Sequence, residues 1–247
     1  MPVITNPYRH AVGGGPLLTG LAAWWTFNEA SGTRVDSHVN GIDLTDNNTV
    51  SSTTGLLSNA ASFDKANSEY FNTADDSALD FTTEFTASLW LKQVAYVGSD
   101  YEVYIAKGPF TSSSFVIYNR YSQNTLKILL NYNNIVAQFN LSSFTLSTSS
   151  FDHFVVRYDG SESTNATKLR VFKNNSELTG SGSFLGTMPT SLLNRSGDFY
   201  VGYQPGLSSN AYFSGAMDEV GLWSRALTTD EISDLYNGGS GITYSDL

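Results

Sequence analysis

The sequence predicts an all-β protein, two antiparallel sheets packed as a sandwich or jelly roll and finished by one short C-terminal helix. Three observations predict it. Short segments of alternating apolar and polar residues recur along the chain, with turn-forming residues between them. Hydrophobic residues fill 40% of the 247 positions and charged residues 15%, enough for a sizeable core. A helical apolar stripe occurs once, at residues 227–236.

Taken in order, residues 1–19 read as an extended N-terminal arm. They hold Pro2, Pro7 and a Gly13-Gly14-Gly15-Pro16 break, with no sustained period. Within the arm, Pro7, Tyr8 and Arg9 offer an aromatic and a guanidinium anchor for a docking peptide. The domain is expected over 20–247. AAWWTFNE (22–29) is its first strand. Ile42-Asp43-Leu44 follows an Asn40-Gly41 pair, a strong hairpin signal. Residues 61–63 and 69–71 continue the pattern. FTASLWLK (85–92) alternates cleanly, with Phe85, Ala87, Leu89 and Leu91 on one face. Further strands are expected at 101–107, 114–120, 125–131, 151–160, 167–174, 198–203 and 211–223. Thr228 and Glu231 then form a T-x-x-E capping box, and Asn237-Gly238 punctuates the helix end. The helix is too short to persist alone and must pack its stripe on the sandwich.

Composition narrows the function. The formal net charge is -10, and the 13 Lys and Arg form no basic run, so nucleic acid is excluded as a partner. There is no cysteine, hence no disulfide and no thiolate metal site. The N-terminal residues lack the apolar core of a signal peptide. No apolar run is long enough to span a bilayer.

Catalytic signatures are missing as well. His10, His38 and His153 fit no HExxH motif, and Gly13–Gly15 lead into a proline rather than a phosphate-binding helix. Asp218 and Glu219 are adjacent, so on a regular strand they face opposite ways and make no glycosidase pair. The expectation is a protein without enzymatic activity. Tyrosines crowd residues 96–134, with Tyr96, Tyr101, Tyr118, Tyr121 and Tyr132 as the candidate ligand or partner surface. Their rings suit sugar stacking or protein contact, or they line strands and core.

Several blocks, in order, resemble the laminin-G-like, concanavalin A-like jelly-roll family, including its pentraxin-like branch. They are GLAAWWTFNE (20–29), SGT (31–33), DSHVNG (36–41), ASFD (61–64) with EYF (69–71), FTASLWLK (85–92), FDHFVVRYDG (151–160), KLRVF (168–172) with Asn174 and Glu177-Leu178, and FSGAMDEVGLWSRALTTDEISDLYNGG (213–239). Phe151 and Asn174-Asn175 depart from the family's usual Trp and Asn-Gly. The resemblance implies that the last strand pairs with the first and that the helix covers a sheet edge. It also implies one structural Ca²⁺ near the rim, with Asp36, Asn40 and Asp218 as its ligands. Glu219 is expected at the surface or paired with Arg225.

An arm like Ile4–Arg9 joined directly to such a domain resembles structural proteins of tailed bacteriophages. The leading expectation is therefore a lectin-like decoration or adhesion protein on the virion surface. Its arm would dock on other virion proteins, and its jelly roll would meet host glycans or neighbouring subunits. A homo-oligomer is compatible with this. The alternatives are a free or cell-surface bacterial carbohydrate-binding module in the extracellular space and, further off, a glycan hydrolase or lyase.

Overall fold

The structure is a computed structural model, and it describes residues 15–94, 101–132, 137–209 and 211–247. Among these, the strands in chain order are β1 (Leu21–Trp25), β2 (Thr45–Asn47), β3 (Ser51–Thr54), β4 (Asn59–Phe63), β5 (Tyr70–Thr73), β6 (Glu84–Gln93), β7 (Glu102–Lys107) and β8 (Ser113–Arg120). There follow β9 (Thr125–Tyr132), β10 (Ala137–Ser142), β11 (Asp152–Asp159), β12 (Leu169–Lys173), β13 (Ser176–Glu177), β14 (Ser183–Leu185), β15 (Phe199–Val201) and β16 (Gly215–Trp223). A single turn of helix, α1 (Asn165–Lys168), precedes β12, and α2 (Thr229–Tyr236) follows β16.

The strands form two eight-stranded sheets. The first runs β13-β12-β11-β6-β16-β4-β3, with β1 also paired to β16. The second runs β14-β10-β9-β8-β7-β15-β5-β2. All pairings are antiparallel. The apolar faces of the two sheets meet in one core that includes Trp25, Phe85, Leu89, Ile105, Phe115, Ile128, Phe154 and Val201. Flat ring contacts knit it, such as Phe85–Phe115 at 4.9 Å and Trp25–Phe199 at 5.6 Å.

β6 shows why alternation translated into this packing. Phe85, Ala87, Leu89 and Leu91 enter the core as the pattern predicts. The opposite face is not left to water. Thr86 Oγ1 donates to the Arg225 carbonyl and accepts from Leu227 N, Ser88 Oγ lies 2.8 Å from His153 Nε2, and Trp90 stacks on Tyr236.

The cause is α2, which lies across the outer face of the first sheet rather than along an edge. Leu227, Ile232 and Leu235 join Trp24, Trp223, Val155 and Phe172 in a second apolar cluster. Those four residues belong to β1, β16, β11 and β12, strands spread over most of the sheet, so the helix caps a face. Its N-terminus carries the predicted reciprocal box: Thr228 Oγ1 accepts from Glu231 N, and Glu231 accepts from Thr228 N. Asn237 closes the helix in the left-handed conformation, with φ at 45°.

Two expectations shift. Residues 16–19, read as arm, belong to the packed body: Pro16–Leu18 form a 3-10 turn and Leu17 is buried in the second cluster. The Leu17 carbonyl accepts from Trp223 Nε1 at 2.6 Å, and Arg225 Nε donates to the Thr19 carbonyl. The Asn40-Gly41 pair does not start a hairpin. The loop folds around the Asp36 side chain instead, and the next strand begins only at Thr45.

Candidate functional site

Asp36 is an internal loop clamp. Its Oδ1 accepts from Trp24 N and His38 N, and its Oδ2 from Ile42 N, all at 2.9 Å. Burial nevertheless raises its pKa. Asn40 Nδ2 donates to the Ala22 carbonyl at 2.8 Å. Asp218 lies elsewhere: its Oδ2 accepts from Leu56 N and Leu57 N in the β3–β4 turn. Gly55 permits that approach, since a Cβ there would stand 2.6 Å from Asp218 Oδ2.

Register separates these groups. Ala22, the partner of Asn40, lies beside the Leu222–Trp223 end of β16, at least four residues from Asp218, or about 13 Å along a strand, while Trp24, the partner of Asp36, pairs with Gly221, three residues from Asp218. The three expected Ca²⁺ ligands are thus not gathered into one site. Among the described residues no group of three or more His, Asp or Glu is placed to hold a metal. Asp36 already accepts three backbone N–H groups and Asp218 Oδ2 two, while Asp218 Oδ1 is buried without a hydrogen-bond partner.

Asp218 and Glu219 instead mark the point where β16 changes partner. Before it, Gly215–Met217 pair with β4; after it, Val220–Trp223 pair with β1. A bulge between Asp218 and Gly221 absorbs the change, and Glu219 takes a positive φ of 44°. Both carboxyls are buried. Glu219 accepts from Trp24 Nε1 at 2.5 Å rather than facing solvent, and Arg225 pairs with Glu231. Burial pushes Asp218 up to about 7; burial and then the neighbouring Asp218 push Glu219 up to about 8. Neither opens onto a groove where a substrate could lie.

The expected tyrosine surface divides. Pro7, Tyr8, Arg9 and Tyr96 lie outside the described residues. Tyr118 and Tyr121 are buried, 4% and 8% exposed, and so offer little ring face to a ligand. Tyr118 packs on the outer face of the second sheet, and the Tyr121 hydroxyl donates to Gln93 Oε1 inside. Tyr101 and Tyr132 are partly exposed, but Tyr101 is held by Tyr118 and Arg120, and Tyr132 by Phe110.

The rings that do gather come from distant parts of the sequence. Tyr70 (β5), Tyr200 (β15), Tyr203 and Tyr212 form one partly exposed cluster on the outer face of the second sheet. Alternation puts Tyr70 and Tyr200 there, because Phe71, Phe199 and Val201 fill the core. Tyr203 and Tyr212 stack at 4.4 Å with planes 9° apart, closing the base of the 204–211 loop. That loop packs Leu207 and Ala211 onto Val103, Ala106, Val116 and Leu129. It is fastened by Gln204 Nε2 to the Gly108 carbonyl and by Phe110 N to the Pro205 carbonyl.

A polar chain borders the rings. Asn47 Nδ2 donates to Asn72 Oδ1 at 2.8 Å, and Asn72 Nδ2 donates to Asp198 Oδ2 at 3.0 Å. Asn72 stands opposite Tyr200, and Asn47 opposite Tyr70. Burial first, then neighbouring phenols and Asp198, raise the pKa of Tyr70 and Tyr200, and burial with Tyr212 takes Tyr203 to about 12. These three phenols are neutral hydroxyl donors throughout the physiological range. Flat apolar faces beside amide, hydroxyl and carboxylate groups suit a ligand with C–H faces and a rim of hydroxyls.

A family model described as Laminin_G_3, concanavalin A-like lectin/glucanases superfamily, matches residues 64–233. The chain belongs to this superfamily. No curated protein matches the sequence of this Laminin_G_3 domain. Among solved structures it is similar to the binding domain of Paraclostridial Mosquitocidal Protein 1, with a TM-score of 0.68 and 11% identity over 90% of this chain and 52% of that one. It is similar to domain 4 of AbnA, a GH43 extracellular arabinanase from Geobacillus stearothermophilus solved in complex with arabinotriose. There the TM-score is 0.58 and the identity 18%, over 87% of this chain and 97% of that one. A third is botulinum neurotoxin type C, from a structure whose description states that cell entry depends on two ganglioside molecules. Its TM-score is 0.65 at 12% identity, over 91% of this chain and 52% of that one. The Laminin_G_3 domain spans about half the length of the toxin chains. Likeness at these identities establishes a shared lectin-like fold.

Proposed function

We propose that this Laminin_G_3 domain is a non-catalytic carbohydrate-binding module, and that its ligand lies on the outer face of the second sheet across Tyr70, Tyr200, Tyr203 and Tyr212. The observation that carries the reading is the four-ring cluster bordered by Asn47, Asn72 and Asp198. Structural neighbours lend support, one solved with arabinotriose and one linked to gangliosides. Burial of Asp218 and Glu219 speaks for binding without hydrolysis.

The test is a glycan array followed by calorimetry on the full chain and on Tyr200→Ala and Tyr212→Ala. The array binds oligosaccharide, and each variant weakens binding at least about tenfold while still melting cooperatively, in line with about 1–3 kcal/mol per lost stacking ring. Undiminished binding by both variants would remove the platform from consideration.

The virion-surface placement belongs to the same proposal. Residues 1–14, with Pro7, Tyr8 and Arg9, serve as the docking peptide for other virion proteins. The support is their position ahead of a body that is packed from residue 16 onward. Deleting residues 1–14 abolishes particle association in a co-sedimentation assay; retained association would sink the docking role.

A further inference from the structure

We propose that the tyrosine platform takes uncharged glycans and discriminates against acidic ones, whether sialylated, sulfated or uronate-bearing, with Asp198 as the selecting residue. The inference rests on the carbohydrate-binding reading above and specifies its ligand class.

The charge environment of the rings is one-sided. Burial is the largest influence on Tyr70, Tyr200 and Tyr203; beyond it, Asp198 is the charged side chain that acts on Tyr70 and Tyr200, and the other influences come from neighbouring tyrosines. No lysine or arginine is among them. The cations of the second sheet are engaged or distant. Lys107 is tied to Asp75 and Asp80 and to the Gly197 carbonyl. Arg120 stands on β8, over the Tyr101 ring, two strands from β15. Lys127 stands on β9, three strands from β15 and so roughly 14 Å away. A carboxylate or sulfate seated on the platform would meet Asp198 within a chain of net charge -10; the basic side chains nearest in sequence are Arg195, three residues before Asp198, and Lys65, five before Tyr70, whose Nζ donates to the Tyr101 carbonyl at 3.5 Å.

Hydrogen-bond chemistry points the same way. The polar chain runs from Asn47 through Asn72 and ends on the Asp198 carboxylate, which only accepts. A neutral sugar supplies hydroxyl donors to such an end. An acidic group supplies only acceptors there. Asp198 is a specificity residue of the platform and does not build the fold's core, being partly exposed just before β15.

The test compares, on one array and then by calorimetry at pH 7, neutral oligosaccharides with their sialylated, sulfated and uronate counterparts. Neutral members bind, and their acidic counterparts bind at least about tenfold more weakly. Asp198→Asn keeps an acceptor for Asn72 and narrows that gap at least threefold, by selective gain for the acidic ligands. In the unmutated chain, added NaCl strengthens acidic binding relative to neutral, because the repulsion is screened. Acidic ligands binding as well as neutral ones, or a gap unchanged by both Asp198→Asn and salt, would overturn the charge selection and leave the platform standing. Absence of binding to every glycan would overturn the platform reading, and this inference with it.

Discussion

Trp24 and Trp25 are neighbours in sequence and serve opposite surfaces. Trp25 enters the core and stacks on Phe199, while Trp24 meets Trp223 edge-on outside the first sheet and donates to Glu219. Gly221 makes room for the outer pair, since a Cβ there would fall 2.7 Å from both rings. The buried Glu219 carries a pH signature, shared with Asp218 and Glu102, whose folded pKa values rise to about 8, 7 and 7. In the unfolded chain these groups ionise near their ordinary 3.8 to 4.5. The folded protein therefore holds protons that the unfolded chain releases. Stability from these groups is complete below the unfolded values and is lost as pH rises toward 8. Glu177 and Glu231 have the opposite shift, held low by Arg170 and by Arg225, and their stabilisation is lost below about pH 4.5. The melting temperature is expected to peak at about pH 4 and to fall up to pH 8. Glu219→Gln keeps an acceptor for Trp24 Nε1 and flattens that fall. A melting curve series that rises between pH 5 and 8 would contradict the assignment.

At the scale of elements, α2 was legible nearly residue by residue, because capping is local chemistry. Thr228 and Glu231 announce the start, and Asn237-Gly238 the end. Thr228→Ala is expected to cost about 1 kcal/mol, and Ile232→Ala about 2–5 kcal/mol because its side chain is fully buried against the sheet. Chemical denaturation of the two variants checks the order. The site of docking was less legible. The helix was expected at a sheet edge, yet Thr86 and Ser88 on the outer face of β6 find backbone and histidine partners beneath it, so the helix covers a face. The alternation of each strand was readable, but not which strands would sit side by side. Tyr70, Tyr200, Tyr203 and Tyr212 become neighbours only through the pairing of β5 with β15, whereas the dense tyrosine run at 101–132 is partly consumed in packing. The available signal was outward phase: Tyr70 and Tyr200 each flank a core phenylalanine. For Asp36 and Asp218 the sequence shows oxygen ligands, but the number of backbone N–H groups already claiming them depends on loop geometry.

At the scale of the molecule, the two ends of the described body meet. Leu17, Ile242 and Leu247 share the cluster beneath α2, and Trp223 and Arg225 hold carbonyls of residues 16–19. Deleting residues 1–14 is expected to leave the melting temperature unchanged. Deleting residues 1–19 removes a buried leucine and several hydrogen bonds, at a cost of roughly 2–4 kcal/mol. Calorimetry on the two truncations separates the packed segment from whatever the first fourteen residues do.

β16 sits in the middle of the first sheet, bonded to β6 on one side and to β4 and β1 on the other. It is also the last strand to be synthesised. Until it arrives, β1 has no neighbour, β3 and β4 form an isolated hairpin, and β6 and β11–β13 form a separate fragment. Leu21 must then find Trp223, roughly two hundred positions away. Contacts of such long range slow the search for the native state, so refolding should be a matter of milliseconds to seconds rather than microseconds. A nascent chain stalled before Gly215 would display two unfinished sheet edges, the species that a chaperone has most reason to hold.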